Sequence, residues 1–215
     1  MHLHLLSKDE RYVDYIEKGP HVPRRAFTDT EGTVGNDLLQ ILSPRDQYNK
    51  EDFQTNYDNA KFYVIKSIGE DDIHKSIKYN VWSCTNHGNG KLNDIFCKNN
   101  RTKVKVNRGG QFVGVVEMIG RVDFVKTLDF WKSKNWNGFF PVKWHIIKDV
   151  SNRQLSHIII ERINRHVTHT RDLHEIGLQK GLEMLRIFKN YTEMTSMLDH
   201  INFYDKRERS IRLGR

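Results

Sequence analysis

The sequence is poor in the features that mark secreted and membrane proteins. It holds two cysteines, Cys84 and Cys97, and no run of 18 or more apolar residues. So few cysteines favour free thiols in a reducing compartment, and without a long apolar run we expect no transmembrane helix. The apolar stretch at the N-terminus is too short for a secretory signal. These absences favour a soluble protein that makes no use of disulfides.

Proline is scarce in most of the chain, because three of the four prolines (Pro20, Pro23 and Pro44) precede residue 45. This N-terminal part shows little apolar periodicity, which is typical of a disordered extension. The remainder is long enough for one sizeable domain. We therefore predict three regions: a largely disordered extension over 1–60, a folded domain over 61–206 and a basic tail over 207–215.

Charge also divides the chain. The net charge is +8 over all 215 residues, but it is −4 over 1–60 and +12 over 61–215. A strongly basic domain favours an anionic partner, and nucleic acid is the first candidate. Charge alone does not establish such a partner, because many basic proteins bind no nucleic acid.

Apolar periodicity predicts a mixed α/β domain that begins at Lys61. Alternation in KFYVIKS predicts a buried strand, and the spacing of Ile73, Ile77 and Val81 predicts that EDDIHKSIKYNVW is helical. Further segments read as strands or helices: strands TKVKVN (102–107), QFVGVVEMIG (111–120) and VKWHIIKDV (142–150), and helices KLNDIF (91–96) and LQKGLEMLRIFKNY (178–191). Irregular alternation of the two types favours a curved sheet or open barrel packed with helices.

The sequence also predicts a hairpin turn and an exposed strand face within the sheet. Gly109 and Gly110 separate two predicted strands, which indicates a hairpin turn. Lys103 and Lys105 lie two residues apart in TKVKVN, so they share one face of the strand. We expect that face to be exposed to solvent, because a lysine ammonium is strongly hydrated.

The four tryptophans are the strongest candidates for a binding site. Trp144 is in phase with the apolar residues of a predicted strand and is expected in the core. Trp131 and Trp136 flank a lysine-bearing segment that looks like a surface loop, where they either pin the loop or bind a ligand. Trp82 stands in a basic and polar stretch, where it either fills the core or stacks on a flat ligand.

Successive blocks of the chain resemble, in order, those of a YTH domain. The blocks are KFYVIKSIGEDDIHKSIKYNVWSCT, GQFVGVVEMIGRVDF, WKSKNWNGFFPVKWHIIKDV, VTHTRDLHEIGLQKGLEMLRIFKNY and TSMLDHINFYDKRER. The upstream RDQYNKEDFQTNYDNAKF resembles the plant-type cytoplasmic members, and the resemblance runs from about residue 45 to 209. It implies a cytoplasmic reader of N6-methyladenosine in single-stranded mRNA that acts in post-transcriptional regulation. It also implies no catalysis, no cofactor and no metal.

The resemblance further implies which residues contact RNA. Three would form an aromatic cage around the methylated base: Trp82, Trp131 and Trp136. Three would meet the edge of the base, namely the backbone near Ile68, the side chain of Asp72 and the carbonyl of Ser83. Four would contact the nucleotide or its phosphates: Lys66, Asn107, Arg171 and Lys132. We expect the protein to bind RNA as a monomer.

Other functions remain compatible with the residues. A metalloenzyme could use His166, His169 and His174, but neither a cysteine pair nor an HExxH motif accompanies them. A nuclease would need carboxylates gathered in a basic cleft. The tryptophan loop could instead grip a peptide in a protein-interaction module, or the chain could be a degenerate YTH paralogue with weakened RNA binding.

Overall fold

A six-stranded mixed sheet and five helices make up most of the part of the chain that the computed structural model describes. That part comprises residues 47–98, 102–108, 110–170, 172–192 and 194–213. The strands are β1 (Lys61–Lys66), β2 (Val81–Trp82), β3 (Thr102–Arg108), β4 (Gln111–Met118), β5 (Phe140–Ser151), β6 (Ile159–Ile160), β7 (Arg165–His166) and β8 (His174–Glu175). The helices are α1 (Glu70–Tyr79), α2 (Asn86–Lys98), α3 (Asn152–Leu155), α4 (Leu178–Asn190) and α5 (Ile201–Leu213). The prediction of a mixed α/β fold is confirmed.

The sheet has the strand order β2-β5-β4-β3-β1-β8. β1 runs parallel to β3, and the other neighbouring strands are antiparallel. β3 and β4 form the predicted hairpin, whose turn includes Gly110 at φ +67, a left-handed conformation that suits glycine. Register shifts within the β3–β4 and β4–β5 pairs mark bulges, which increase the local twist of the sheet.

α1 begins with three acidic residues in its first turn, where they interact favourably with the helix dipole. It ends at Tyr79, because Asn80 adopts φ 53 and turns the chain out of the helix. The prediction that the helix continues through Val81 and Trp82 is therefore wrong. These two residues form β2 and pair with β5, with Trp82 opposite Phe140.

One face of the sheet packs against α4. Phe62 and Val64 of β1 lie in a buried cluster with Leu182, Leu185 and Phe188 of α4. The amphipathic pattern of 178–191 predicted this helix and its apolar face. The same pattern could not reveal which strands the helix covers, since that depends on the strand order.

Lys103 and Lys105 contradict the expectation that they face solvent. They are 2% and 0% exposed, because their face of β3 is the one covered by α4 and by the segment before β1. The Lys103 ammonium lies 3.0 Å from the Glu117 carboxylate and 4.6 Å from the ring centroid of Tyr57. The Lys105 ammonium has no hydrogen-bond partner among the described residues and lies 4.8 Å from the ring centroid of Phe62.

α5 packs against α1 near the C-terminus of the chain. The Lys78 ammonium lies 2.6 Å from Asp205 and 2.8 Å from Glu208, and the Tyr79 hydroxyl donates to Glu208 at 2.7 Å.

α5 continues through residue 206, where the predicted domain was expected to end. The division into 1–60, 61–206 and 207–215 stays a prediction, since residues 1–46 lie outside the described part. In the described ranges, none of the helices has the length and apolar character needed to cross a membrane.

Candidate functional site

The structure brings together three of the four tryptophans. Trp82 lies on β2, while Trp131 and Trp136 lie in the connection between β4 and β5. The ring centroid of Trp82 lies 6.3 Å from that of Trp131 and 6.1 Å from that of Trp136. The centroids of Trp131 and Trp136 are 5.4 Å apart. We call these three residues the tryptophan cluster and residues 129–138 the tryptophan loop.

The C-terminal half of the tryptophan loop is held by residues 83–85, which follow β2, and by α2. Trp136 forms an antiparallel bridge with Thr85, and the Asn89 side chain donates to the Asn137 carbonyl at 2.7 Å. The Ser83 hydroxyl donates to the carbonyl of Gly138 at 2.7 Å. Gly138 has φ +77, and a Cβ there would lie 2.5 Å from the Asp123 carbonyl oxygen, so only glycine fits without rearrangement.

The N-terminal half of the tryptophan loop is held by α1. The Lys132 backbone N–H donates to Asp72 Oδ1 at 2.9 Å, and the Lys75 ammonium donates to the Phe130 carbonyl. The Phe130 ring stacks on Tyr79 with 5.0 Å between centroids. Trp131 is therefore positioned by contacts of its two neighbours in the chain.

The tryptophan cluster is closed. Trp82 is 0% exposed and Trp131 and Trp136 are each 6% exposed, so the expectation of a surface-lying loop is wrong for these indoles. A purine stacked between two rings needs about 7 Å between their planes, since each contact takes about 3.5 Å. Trp131 and Trp136 are closer than this and inclined at 64°. A base can enter only after at least one of them moves.

Three polar atoms at the tryptophan cluster lack hydrogen-bond partners among the described residues. They are the indole N–H groups of Trp82 and Trp131 and Oδ2 of Asp72, all buried. Burial raises the pKa of the Asp72 carboxyl, although the N–H of Lys132 and the charge of Lys75 act in the opposite direction. Buried polar groups normally have hydrogen-bond partners, so these three atoms are available to a ligand that opens the cluster.

The predicted base-edge residues surround the first turn of α1 and the end of β2. Asp72 is buried in that first turn, and Ser83 is buried directly after Trp82. Ile68 is largely exposed in the loop between β1 and α1. In that loop, a Cβ added to Gly69 would lie 3.8 Å from the Lys132 ammonium, so the loop and the tryptophan loop approach each other.

Lys66 and Asn107 lie next to each other at the end of the β1–β3 pair. The Lys66 N–H donates to Asp172 Oδ1 at 2.9 Å, and the buried Asn107 side chain is 3.5 Å from that of Asn152. The Asn107 carbonyl accepts from the Ser67 N–H at 3.0 Å, which fixes the start of the loop that contains Ile68. Lys132 is exposed. Arg171 lies outside the described residues.

Two supporting residues were missed by sequence reasoning. Asn89 lies on α2 and spans the Cys84 backbone and Asn137, a role with no sequence signal. Phe130 directly precedes Trp131 in an aromatic-rich segment, and that proximity could have drawn attention to it. Both residues hold the tryptophan loop without belonging to the tryptophan cluster.

The histidines considered as metal ligands, His166, His169 and His174, do not gather into a three-ligand group in the described ranges. The side chains that come close enough there are His74, Asp205 and Glu208. The Lys78 ammonium contacts both of these carboxylates, at 2.6 and 2.8 Å. A metal ion would have to displace this cation, so the group is better described as an ion-pair network between α1 and α5.

The sequence matches a known domain family and several related proteins. The family model for the YT521-B-like (YTH) domain matches residues 60–189, which is more than half of the chain. YTH domain-containing protein ECT3 of Arabidopsis thaliana is 47% identical over 194 residues, which cover 85% of this chain and 38% of ECT3. Human YTH domain-containing family protein 2 is 40% identical over 177 residues, covering 80% of this chain and 31% of that protein. The chain thus spans less than half the length of these two relatives.

A solved structure is also similar. The Pho92 YTH domain, determined in complex with m6A, superposes with a TM-score of 0.64 and is 27% identical. The match covers 68% of this chain and 96% of the Pho92 chain.

Proposed function

Because this chain belongs to the YTH domain family, we propose that it reads N6-methyladenosine in single-stranded RNA through the tryptophan cluster. The observation that carries the proposal is the convergence of Trp82, Trp131 and Trp136 beside the buried Asp72. The Pho92 YTH domain, solved with m6A, supports the choice of ligand. The protein acts by binding and performs no catalysis.

Stacking and methyl burial supply the binding energy. N6-methyladenine is neutral, so the indoles attract it by dispersion and stacking, which contribute about 1–3 kcal/mol per base. Burying the added methyl group contributes about 0.8 kcal/mol. Discrimination of one methyl group by pocket filling is limited to about 10- to 200-fold. Any preference near the upper limit therefore requires a cluster that closes tightly around the methyl group.

Binding requires the tryptophan cluster to open. The Lys132 N–H bond to Asp72 and the Lys75 bond to the Phe130 carbonyl hold the tryptophan loop against α1, so they oppose the movement of Trp131. A base that enters replaces the indole contacts it breaks with stacking contacts of its own. The Ser83 carbonyl would accept the remaining N6–H, and the backbone near Ile68 would meet the other edge of the base.

Phosphate attraction comes from Lys66, Lys132 and Arg171, with Asn107 contacting the nucleotide. The affinity is therefore expected to fall as salt concentration rises, with a slope set by the number of phosphates neutralised. We further propose that the protein binds as a monomer and acts on mRNA in the cytoplasm.

The test is the affinity for a short single-stranded RNA with one N6-methyladenosine and for its unmethylated twin, measured by fluorescence anisotropy. We expect the methylated RNA to bind at least about 10-fold more tightly. Trp136→Leu, which removes the flat ring and keeps an apolar side chain, should bring the two affinities close together. Equal affinities for the wild-type protein would contradict the proposal.

Trp144→Leu is the matched control. Trp144 is buried on β5, and its indole N–H donates to the Ser76 hydroxyl at 3.1 Å, outside the tryptophan cluster. It should lower the melting temperature and leave the methyl preference unchanged. If both variants lower the preference equally, loss of folding and not loss of the cage explains the effect.

A further inference from the structure

A groove of about 340 Å³ lies beside the tryptophan cluster and shares one wall with it. Trp131 lines the groove, whereas Trp82 and Trp136 do not. Its other walls come from α1, the tryptophan loop and α5, including Lys75, Phe130, Lys134, Tyr204 and Arg207. The volume lies in the range of small-ligand pockets, which is about 300–1,000 Å³. One indole thus separates two places where a flat group could lie.

The groove combines flat rings with cations. Phe130 supplies a half-buried ring, while Trp131 and Tyr204 are buried in the wall of the groove. Lys134 and Arg207 supply accessible positive charge. Single-stranded RNA sites use this combination, because bases stack on aromatic rings and on guanidinium planes while cations attract the phosphates.

The groove has three acidic residues, Asp71, Asp129 and Glu208, and four cations, Lys75, Lys132, Lys134 and Arg207, so its positive charge is not cancelled. Asp129 is exposed, and Glu208 is buried and contacts the Lys78 ammonium and the Tyr79 hydroxyl. Asp71 lies 3.4 Å from Arg207, whose side chain is 52% exposed. An exposed ion pair contributes little, about 0–1 kcal/mol, so Arg207 can exchange Asp71 for a ligand at small cost. The carboxylates that line the groove can accept hydrogen bonds from the amino groups of a base.

We propose that this groove binds the nucleotide next to the one held by the tryptophan cluster, with its base against Arg207 and its phosphate near Lys134. The proposal rests on the proposed function, since Trp131 would then stand between two successive bases of one strand. Insertion of an apolar side chain between successive bases is an established way of separating them. α5 thereby becomes part of the RNA-binding surface.

The experiment compares Arg207→Ala with Arg209→Ala. Both arginines are exposed on α5, but Arg209 does not line the groove, and each variant loses one positive charge. The affinity of each protein is measured for a methylated nine-nucleotide RNA, for its unmethylated twin and for free N6-methyladenosine. Lys134→Ala provides a second test of the groove that leaves α5 intact.

We expect Arg207→Ala to weaken binding of both nine-nucleotide RNAs at least about five-fold more than Arg209→Ala does. The ratio between methylated and unmethylated RNA should not change, and binding of free N6-methyladenosine should stay the same. Removing nucleotides from one side of the modified base should abolish the difference between the two variants.

Equal effects of Arg207→Ala and Arg209→Ala, with the methyl preference of the wild-type protein intact, would overturn the groove proposal and leave the proposed function standing. That result would also be obtained if the groove served a protein partner. Absence of any methyl preference in the wild-type protein would instead contradict the proposed function itself.

Discussion

At the scale of single residues, Asp72 has two roles that conflict. Its Oδ1 holds the tryptophan loop by accepting the Lys132 N–H, while its buried Oδ2 lacks a partner among the described residues. The ring nitrogens of adenine are hydrogen-bond acceptors, so an ionised carboxylate offers them no donor. Because burial raises the pKa of Asp72, protonation supplies such a donor at a higher pH than for an ordinary aspartate.

We therefore expect Asp72→Asn to bind the methylated RNA about 3- to 10-fold more tightly than the wild-type protein at pH 7. The amide oxygen can still accept the Lys132 N–H, and the amide nitrogen donates where Oδ2 could not. The affinity of the wild-type protein should rise as the pH falls through the pKa of Asp72, and that of the variant should not. Calorimetric titration over a pH series measures both.

Glu70→Gln is the control for Asp72→Asn, because it removes a charge from the same turn of α1. It should leave the affinity and its pH dependence nearly unchanged. Weaker binding by Asp72→Asn would show that the ionised carboxylate itself contacts the RNA.

At the scale of elements, β3 carries two buried lysines in different surroundings. Lys103 pairs with Glu117, whereas the Lys105 ammonium lies 4.8 Å and 5.9 Å from the ring centroids of Phe62 and Phe188. Burial lowers the pKa of Lys105, with the charge of Lys103 acting in the same direction. The unfolded chain then binds the proton more readily, so Lys105 reduces stability at neutral pH, and this loss is relieved as the pH rises to the ordinary lysine pKa.

Lys105→Met and Lys103→Met should therefore change stability in opposite directions. The first replaces a polar group without a partner by an apolar chain of similar length, and we expect it to stabilise the protein by about 1–3 kcal/mol. The second removes the ammonium that pairs with the half-buried Glu117 carboxylate, which keeps only its contact with His145, and should destabilise the protein by a similar amount. Denaturant unfolding at pH 7 measures both changes. A loss of stability in Lys105→Met would mean that its ammonium has a stabilising role.

Glu117 links β4 to β3 and β5 and should control the unfolding of the protein in acid. Burial alone would raise the pKa of Glu117, but His145 and Lys103 together lower it to about 2. A carboxylate with a lowered pKa stabilises the fold above its unfolded pKa, and this contribution is lost as the pH falls from about 4.5 to about 2.

We expect Glu117→Gln to remove most of the change in stability between pH 4.5 and pH 2, measured by thermal melting. Glu183→Gln is the control, because Glu183 is more exposed and forms ion pairs at the surface with Lys180 and His157. It should leave the wild-type dependence almost intact. If Glu117→Gln loses as much stability as the wild-type protein between pH 4.5 and pH 2, a carboxylate other than Glu117 is responsible for the loss.

At the scale of the whole molecule, local patterns predicted the strands β1, β3, β4 and β5 and the helix α4, since each shows its own apolar periodicity. Contacts between distant segments were not predictable in this way. β2 depends on the left-handed conformation of Asn80, and the burial of Lys103 depends on Tyr57, which lies in the segment before β1. The packing of α5 depends on Lys78 and Glu208, which are 130 positions apart.

In the candidate site, too, the residues could be predicted from the sequence, but the contacts between distant segments could not. Resemblance to the YTH family identified the three tryptophans and Asp72 before the fold was known. The closed state of the tryptophan cluster could not be predicted, because it depends on how the tryptophan loop is tied to α1 and α2. The groove beside Trp131 was missed because it needs α5, which showed no strong apolar pattern.

The central claim is that the tryptophan cluster opens to admit a methylated base, and its most direct test is an NMR titration of the four indole N–H signals with free N6-methyladenosine. We expect the signals of Trp82, Trp131 and Trp136 to shift together, while that of Trp144, bonded to Ser76, stays in place. Adenosine should produce much smaller shifts at the same concentration. If the three signals do not move, or adenosine moves them equally, the tryptophan cluster is not the binding site for a methylated base.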